Sequence, residues 1–438
     1  MSFPSIPNAF ANVQAACSHR LQELYPLGTP APIQERFDAE LAYMKASPYA
    51  DDFEIFRLLS LEALKCSQYF TLRGQISGSI LIFLLGRGRF HPFAPHYYCP
   101  HCGHFESVET HMFGIDLPEI PCSDCGSTVL PDGFGLPVES IWGLDGKRIL
   151  SFDYSVCEEF LPFAKHVLEK VYPDHEIVLY GTPFFADRDP EKDRIEIKPG
   201  GFTILPEGQT MDDYPDLKTY LEDGEPCLFT FAPGLSHPDL KVVNLIPSPD
   251  IENLIQLQRK TGTYANEIPL SGLRSLTCYD LVNTKALSKT AEDLVRAHKP
   301  KTFMEIAKFE SLGHASYAGS DRNPPTADRI DRDLLCTEEY QKYPCASRDD
   351  FFESLLEAGC PREDAFEISE FIRKGKALSF GHKLEGFDIP AEIKTLAKKF
   401  CYLFPRAHSV ETVLLVARLA YYQKMNSRIY SKIIHKTK

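Results

Sequence analysis

Cys99, Cys102, Cys122 and Cys125 stand as two Cys-x2-Cys pairs 19 residues apart, in the stretches "HYYCPHCGHF" and "IPCSDCG". Each pair runs into a glycine, Gly103 or Gly126, where a tight turn lets backbone amides face the sulfurs. Four thiolates close a tetrahedron and leave no position for water, so the spacing predicts a structural metal site, with zinc as the metal, rather than a catalytic one. The competing reading is that the two pairs never meet in space. His96, His101, His104 and His111 crowd the same region. They are read as loop histidines, because the sulfurs already complete the shell.

A second set of chemically capable residues is basic. From Pro361 to Lys438 there are 15 Lys and Arg against 8 Asp and Glu, although the whole chain carries a net charge of -14. From Lys394 onward ten basic residues face a single acid, Glu411. Such a segment is either a solvated charged face or a surface that meets phosphate. The overall acidity argues against indiscriminate binding of polyanions.

These residues need a scaffold, and the composition supplies one. The 438 residues, 43% hydrophobic and 25% charged, suffice for two or three domains with their own cores. The N-terminus lacks a basic segment followed by an apolar core, and the longest apolar run, Ile80 to Leu85, is far too short to cross a bilayer. The chain is therefore expected in the cytoplasm, with no membrane partner. Thirteen cysteines at irregular spacing do not make a disulfide framework in that compartment.

Apolar recurrence from Gln34 to Lys65, broken by Pro48, predicts two helices ahead of the glycine-rich turn "LRGQISGSI". Beyond the cysteine ribbon, "RILSFDYSV" and "EIVLYG" read as strands around a helix "EEFLPFAKHVLEKV", and "DRIEIKPGGFTILP" as a hairpin-like pair of strands about Gly200 and Gly201. From about Ala291 the pattern is mostly helical. "PREDAFEISEFIRKGK" has acids in its first turn, bases in its last and Gly375 as a stop, in agreement with the helix dipole. "ASYAGSDRNPPTADR" reads as a loop.

In order and approximate spacing, "PHYYCPHCG", "FGIDLPEIPCSDCGSTVLPDGFGLPVESIWGLDGKR", "KPGGFTILP", "ISEFIRKGKALS" and "FPRAHSVETVLLVARLAYY" resemble the PolC-type α subunit of bacterial DNA polymerase III, from Leu24 to the C-terminus. The resemblance implies an α+β fold: a polymerase β-type nucleotidyltransferase palm with a four-cysteine zinc ribbon, followed by a mostly helical fingers-like domain. It places an N-terminal helical segment at 1–66, the palm at 67–290 with the ribbon at 97–130, and the fingers at 291–438. It also implies a structural Zn2+ on Cys99, Cys102, Cys122 and Cys125, beside the palm.

Such a palm holds two metal ions on two acids that alternate along one strand and a third on a neighbouring strand. Where the family strand has the form P-D-I-D-L-N-F-S this chain has "RILSFDYS", so the two aspartate positions are Ile149 and Ser151. The third, in an L-D-I-L-G segment, falls on Asn244 of "VNLIP". Asp153 shares the strand face but would supply one carboxylate, and Asp250 lies six residues beyond Asn244. One carboxylate and an amide do not compensate two divalent cations, so Mg2+ and polymerase catalysis are not expected. The connector between "GTPFFAD" and "KPGG" is short where the family has a long insertion, and Lys198 replaces a histidine. The chain is read as a bare palm and fingers.

The phosphate-facing side of the family is matched better. Arg73, Gly74 and Ser79 correspond to a turn that cradles a triphosphate, Arg373, Lys374 and Lys376 to R-K-G-K, and Arg406 and His408 to F-P-K-A-H. Glu411, just beyond, is expected to repel phosphate. Val410, Val413, Leu414, Ala417, Ala420 and Tyr421 read by spacing as core. The favoured expectation is a catalytically silent PolC-like protein with structural zinc that binds DNA or another nucleic acid, in a regulatory role alongside replication proteins. The alternatives are an interaction scaffold without nucleic acid, and an active DNA-directed polymerase with re-sited metal ligands.

Overall fold

The computed structural model describes residues 5–185, 195–220, 226–229, 237–319, 325–379 and 381–434. Three helices open the chain, Ala9–Leu24, Ala31–Lys45 and Ala50–Lys65. The break between the second and third falls at Pro48, as the sequence predicts. Ile33, Phe37 and Met44 recur at helical spacing and turn one face of the second helix inward. Asp51 and Asp52 sit in the first turn of the third, where the helix dipole favours them.

Behind these helices lies a mixed seven-stranded sheet in the order Thr71–Arg73, Asp153–Val156, Lys241–Pro247, Ile195–Ile204, Ile177–Phe185, Pro226–Phe229, Lys218–Tyr220. The strand of Asp153 is antiparallel to Thr71–Arg73 and parallel to Lys241–Pro247, and its register puts Asp153 directly opposite both Arg73 and Asn244. Phe53, Phe56, Leu72, Tyr154, Phe160 and Leu245 fill the core between sheet and helices.

Two expectations about strands differ from what is found. The stretch "DRIEIKPGGFTILP" is not a hairpin: Ile195–Ile204 is one strand running antiparallel to Ile177–Phe185. Its register shifts where Tyr180 faces Gly201 and Gly181 faces Pro199, so Gly200 is the extra residue of a bulge. The glycine pair marks a bend within a strand, not a turn between two. "RILSFDYSV" forms a strand only from Asp153, because its neighbour Thr71–Arg73 is three residues long and the ladder ends with it. Ahead of that point the Leu150 amide donates to the Tyr49 hydroxyl at 3.1 Å, and the Gln75 side chain donates to the Ile149 carbonyl at 3.2 Å. The short connector ahead of "KPGG" lies mostly outside the described residues.

The second half is mainly helical. Thr302 and Ser347 begin two of its helices, Phe303–His314 and Arg348–Glu357, with reciprocal capping boxes to Glu305 and Asp350. Arg362–Arg373 starts after Pro361, and Gly375 follows it with a positive φ of 67°. A Cβ there would meet the Cys401 carbonyl oxygen at 2.3 Å. Arg406–Met425 is buried along most of its length, Val410, Val413, Leu414, Ala417 and Ala420 included. Its core also takes in Leu254, Leu287 and Ala291, the last two on either side of the expected boundary at 290/291. A third core gathers Phe351, Ile372, Leu396 and Phe400. Among the described residues no helix is long and apolar enough to cross a membrane.

Candidate metal centre and basic cleft

Two short hairpins carry the cysteines. His96–Tyr98 pairs with Phe105–Ser107, and Ile120–Pro121 with Thr128–Val129. Both turns have the same bonds: Gly103 N–H donates to the Cys99 carbonyl at 2.8 Å, and Gly126 N–H to the Cys122 carbonyl at 2.9 Å. Both glycines have positive φ, 79° and 75°. The pairs meet face to face. Cys99 Sγ lies 3.5 Å from Cys125 Sγ, Cys102 Sγ lies 3.6 Å from Cys122 Sγ, and all four sulfurs fall within 4.8 Å of one another.

A metal with sulfur bonds of about 2.3 Å needs a tetrahedron with edges of about 3.8 Å, so these four thiols fit a metal such as zinc. Two of the nearby histidines are occupied elsewhere. His104 contacts Asp124 and Ser123, and His96 is buried against the Ala94 carbonyl. The ribbon is fastened to the helical half at two points. Asp116 accepts the amides of Phe303 and Met304 at 2.6 and 3.1 Å, and Arg274 donates to the carbonyls of Gly114, Ile115 and Pro131.

An open cleft of about 1480 Å3 runs past the sheet corner at Asp153, lined also by side chains of Arg362–Arg373 and Arg406–Met425. At that corner Asn244 donates from its amide to Asp153 Oδ1 at 2.5 Å, and Ser151 donates from its hydroxyl to Oδ2 at 2.8 Å. Tyr180 donates in turn to Asn244 Oδ1 at 2.5 Å. The glycine pair makes room for this chain of bonds. A Cβ at Gly200 would sit 2.5 Å from the Tyr180 ring, and one at Gly201, where φ is 137°, 2.0 Å from the Val243 carbonyl oxygen. Ile149 projects into the cleft with 84% of its surface exposed. Among the described residues, the four cysteines are the one group of three or more His, Cys, Asp or Glu close enough to share a metal ion.

Asp250 does not join Asp153. It lies in the first turn of Pro249–Thr261, within the field of Glu310. Burial, with Glu310 adding to it, pushes its carboxyl up to about 6 from an ordinary value of 3.8. An acid raised in this way is protonated more readily folded than unfolded, so its contribution to stability is lost as pH rises from about 4 to about 6. Asp250→Asn is therefore expected to stabilise the protein at pH 7, by about 1–3 kcal/mol, and to flatten that part of the profile. Urea melts at pH 4.5 and 7 check this, and equal destabilisation at both values would refute it.

Glu310 is engaged with Ser288 and with His314 Nε2, the latter at 2.8 Å. Burial works against charge on His314, but that carboxylate outweighs it and raises the imidazole. His408 goes the other way, held down to about 3 by burial, by His314 and by Arg73. Its Nδ1 accepts the Gly74 amide at 3.3 Å. His408 is thus a neutral acceptor at physiological pH, not a cation offered to phosphate.

Of the residues the sequence singled out for phosphate, Arg73, Gly74, Arg373, Lys374, Lys376 and His408 line this one cleft. Two do not. Ser79 is buried, caps the helix Ile80–Leu85 and donates to Glu40. Arg406 is buried and bonded to Asp350 and Glu353, with its amide on Asp349. Glu411 does not act as a bare negative charge, since Arg89 pairs with it at 2.7 Å, both nearly fully buried.

The sequence reading missed the centre of the cleft. Glu370 accepts from Arg148 at 2.8 Å, from Arg348 at 3.2 Å and from Arg373 at 3.0 Å. The pair with Arg373, three residues on, is visible in helix spacing. Arg148 and Arg348 come from 222 and 22 residues away, and no local pattern announces them.

Fold and site together define an α+β protein with a cluster of four cysteines whose geometry fits a metal ion, and a cleft rich in arginine and lysine. The chain is related to DNA polymerase III of the PolC type. It is 24% identical over 474 residues to that protein from Caldanaerobacter subterraneus subsp. tengcongensis, 25% over 474 to the one from Thermotoga maritima and 23% over 483 to the one from Bacillus subtilis. These alignments cover 96, 96 and 98% of this chain but 33, 34 and 33% of the relatives, so the chain spans about a third of their length. No family model matches it.

Proposed function

We propose that this protein keeps a polymerase β-type palm and a fingers-like region of PolC ancestry, with structural zinc on its four cysteines, and binds nucleic acid in the cleft without transferring nucleotides. The observation that carries this reading is the corner at Asp153. Ile149, Ser151 and Asn244 occupy the positions that the PolC resemblance assigns to three acids, and the single carboxylate there accepts one hydrogen bond on each oxygen, from an amide and from a hydroxyl. Two divalent cations require several anionic oxygens, which that corner does not offer. Lys374 and Lys376 are exposed at the cleft, where phosphate can reach them. The setting that fits is a cytoplasmic one, in a regulatory part beside replication proteins.

Primer extension with Mg2+ or Mn2+ should give no incorporation above a mock preparation. Binding to primer-template DNA should weaken with salt, with a log–log slope of about two to four, and Lys374→Glu with Lys376→Glu should flatten it without changing sequence preference. Robust extension abolished by Asp153→Asn would instead establish re-sited metal chemistry. Absence of salt-dependent retention at low ionic strength would leave an interaction scaffold.

A further inference from the structure

A second cavity, of about 890 Å3, lies between the cysteine ribbon and the helical half and shares no lining residue with the basic cleft. Residues 107–112 of the ribbon form one wall. The helices Phe303–His314 and Arg348–Glu357 supply Met304, Lys308, Asp350, Glu353 and Glu357 to the others.

Its charge is opposite to that of the cleft. Four carboxylates line it, Glu109, Asp350, Glu353 and Glu357, against the cations Lys308, Lys342 and Arg406. Lys342 is drawn off by Glu392, which lies outside the lining, at 2.6 Å. Asp349, also outside it, adds a further carboxylate to the field of Arg406. Lys308 and Arg406 therefore face a surplus of negative charge. Glu353 registers that surplus. Burial pushes its carboxyl up, and Asp350 and Asp349 add enough that Arg406 does not cancel the rise. Glu353 is 36% exposed, and each of its oxygens accepts one bond from Arg406, which leaves lone pairs for a further donor. Glu357 has only His111 beside it, at 3.7 Å, with both side chains more than half exposed.

Arg406 points to a ligand independently of the acids. It lines the cavity, its side chain is 6% exposed, and its buried Nε has no hydrogen-bond partner. A buried donor without an acceptor is costly, and a carbonyl oxygen supplies one. Between the charges the walls are apolar. Pro95, Phe134, Met304, Tyr343 and Pro344 suit the aliphatic stem of a lysine or arginine. We infer that this cavity docks a basic linear segment of a partner protein, whose Lys or Arg side chain enters between Glu109, Glu353 and Glu357 while its backbone offers Arg406 an acceptor. A peptide brings both the cation and the carbonyl, where a free polyamine brings the cation alone. Complementary potentials of this kind select the partner more than they tighten the complex.

Met112 and Met304, two of the six methionines in the chain, line the cavity and give a local readout. The test is NMR of the full chain labelled with 13C at its methionine methyls, the two signals being identified with Met112→Leu and Met304→Leu. The probes are capped peptides Gly-Ser-X-Ser-Gly in which X is Arg, Lys, Gln or Glu, and spermine. The arginine and lysine peptides are expected to shift the Met112 and Met304 signals saturably and to leave the other four unmoved. Glu109→Gln with Glu357→Gln, both at exposed positions, should weaken binding about threefold or more, and Lys308→Met, which removes a like charge, should strengthen it by a similar factor. No shift at Met112 and Met304, equal shifts with the glutamine peptide, shifts shared by all the methionines, or unchanged affinity in the double variant overturns the inference. Binding of the glutamate peptide in place of the basic ones, lost in Lys308→Met, reassigns the cavity to acidic segments and overturns it as well. Spermine acting where the peptides do not assigns it to a free polyamine, with the same result.

Discussion

Replacing Cys99 and Cys122 by serine, or stripping metal from the reduced protein, is expected to cost the protein the largest share of its stability. Freshly prepared protein should carry close to one zinc per chain, and the double variant none. Ribbon sites of this kind contribute on the order of 10 kcal/mol to folding, because their ligands are not pre-assembled in the unfolded chain. The hairpins around the thiols have little else to hold them: Tyr97, Cys99, Leu117, Cys122 and Val129 make up a small core in which two of the ligands are themselves members. The damage should spread. Asp116 holds the N-terminus of Phe303–His314 and Arg274 ties three ribbon carbonyls to the helical half, so hydrogen exchange should quicken in residues 303–314 as well as in 97–130. Elemental analysis that finds no zinc, or unchanged exchange in 303–314 after its removal, contradicts this expectation.

Arg406→Met is expected to destabilise the protein by about 3–5 kcal/mol, the loss typical when one partner of a buried ion cluster is removed. Asp350 and Glu353 would keep their carboxylates and lose the guanidinium that faces both. Burial pushes the Asp350 carboxyl up, but Arg406 and Lys308 overcome it and hold it down to about 2. The stability it contributes is therefore present above about pH 4 and lost as pH falls toward 2. In the variant that acid limb should move to higher pH. Binding to DNA at a temperature where the variant is folded should keep its salt slope, since Arg406 does not reach the phosphate-facing cleft. A flattened slope with unchanged stability would reverse the assignment.

Arg406 also shows where sequence reading ends. Its place beside a basic run suggested phosphate, and nothing local to it shows that Asp350 and Glu353, more than fifty residues earlier, fold back to meet it. Features set by neighbours in sequence were legible: the helix break at Pro48, the stop at Gly375, the two cysteine turns. Meeting of the two cysteine pairs was inferable because each turn repeats the same chemistry at short range. Features set across the sheet were not. The glycine pair at 200 and 201 looks like a turn until Tyr180 is placed beside it, and the strand at Asp153 looks longer than it is until its three-residue neighbour is known. The same holds for Glu370, whose three arginines come from three separate segments.

The bonded row of Tyr180, Asn244, Asp153 and Ser151 has a consequence for how this lineage can change. Asn244 is the amide that accepts from a phenol and donates to a carboxylate at once. Exchanging it for an acid would set two carboxylates against each other at hydrogen-bond distance, with no donor between them. Ile149 exchanged alone would put a second negative charge near that corner, at an exposed position. The exchange at Asn244 therefore passes through a less stable protein unless a cation is there to bridge the two carboxylates. On the proposed reading the corner works as a ratchet, because the move at Asn244 runs uphill until a cation is present to bridge the carboxylates.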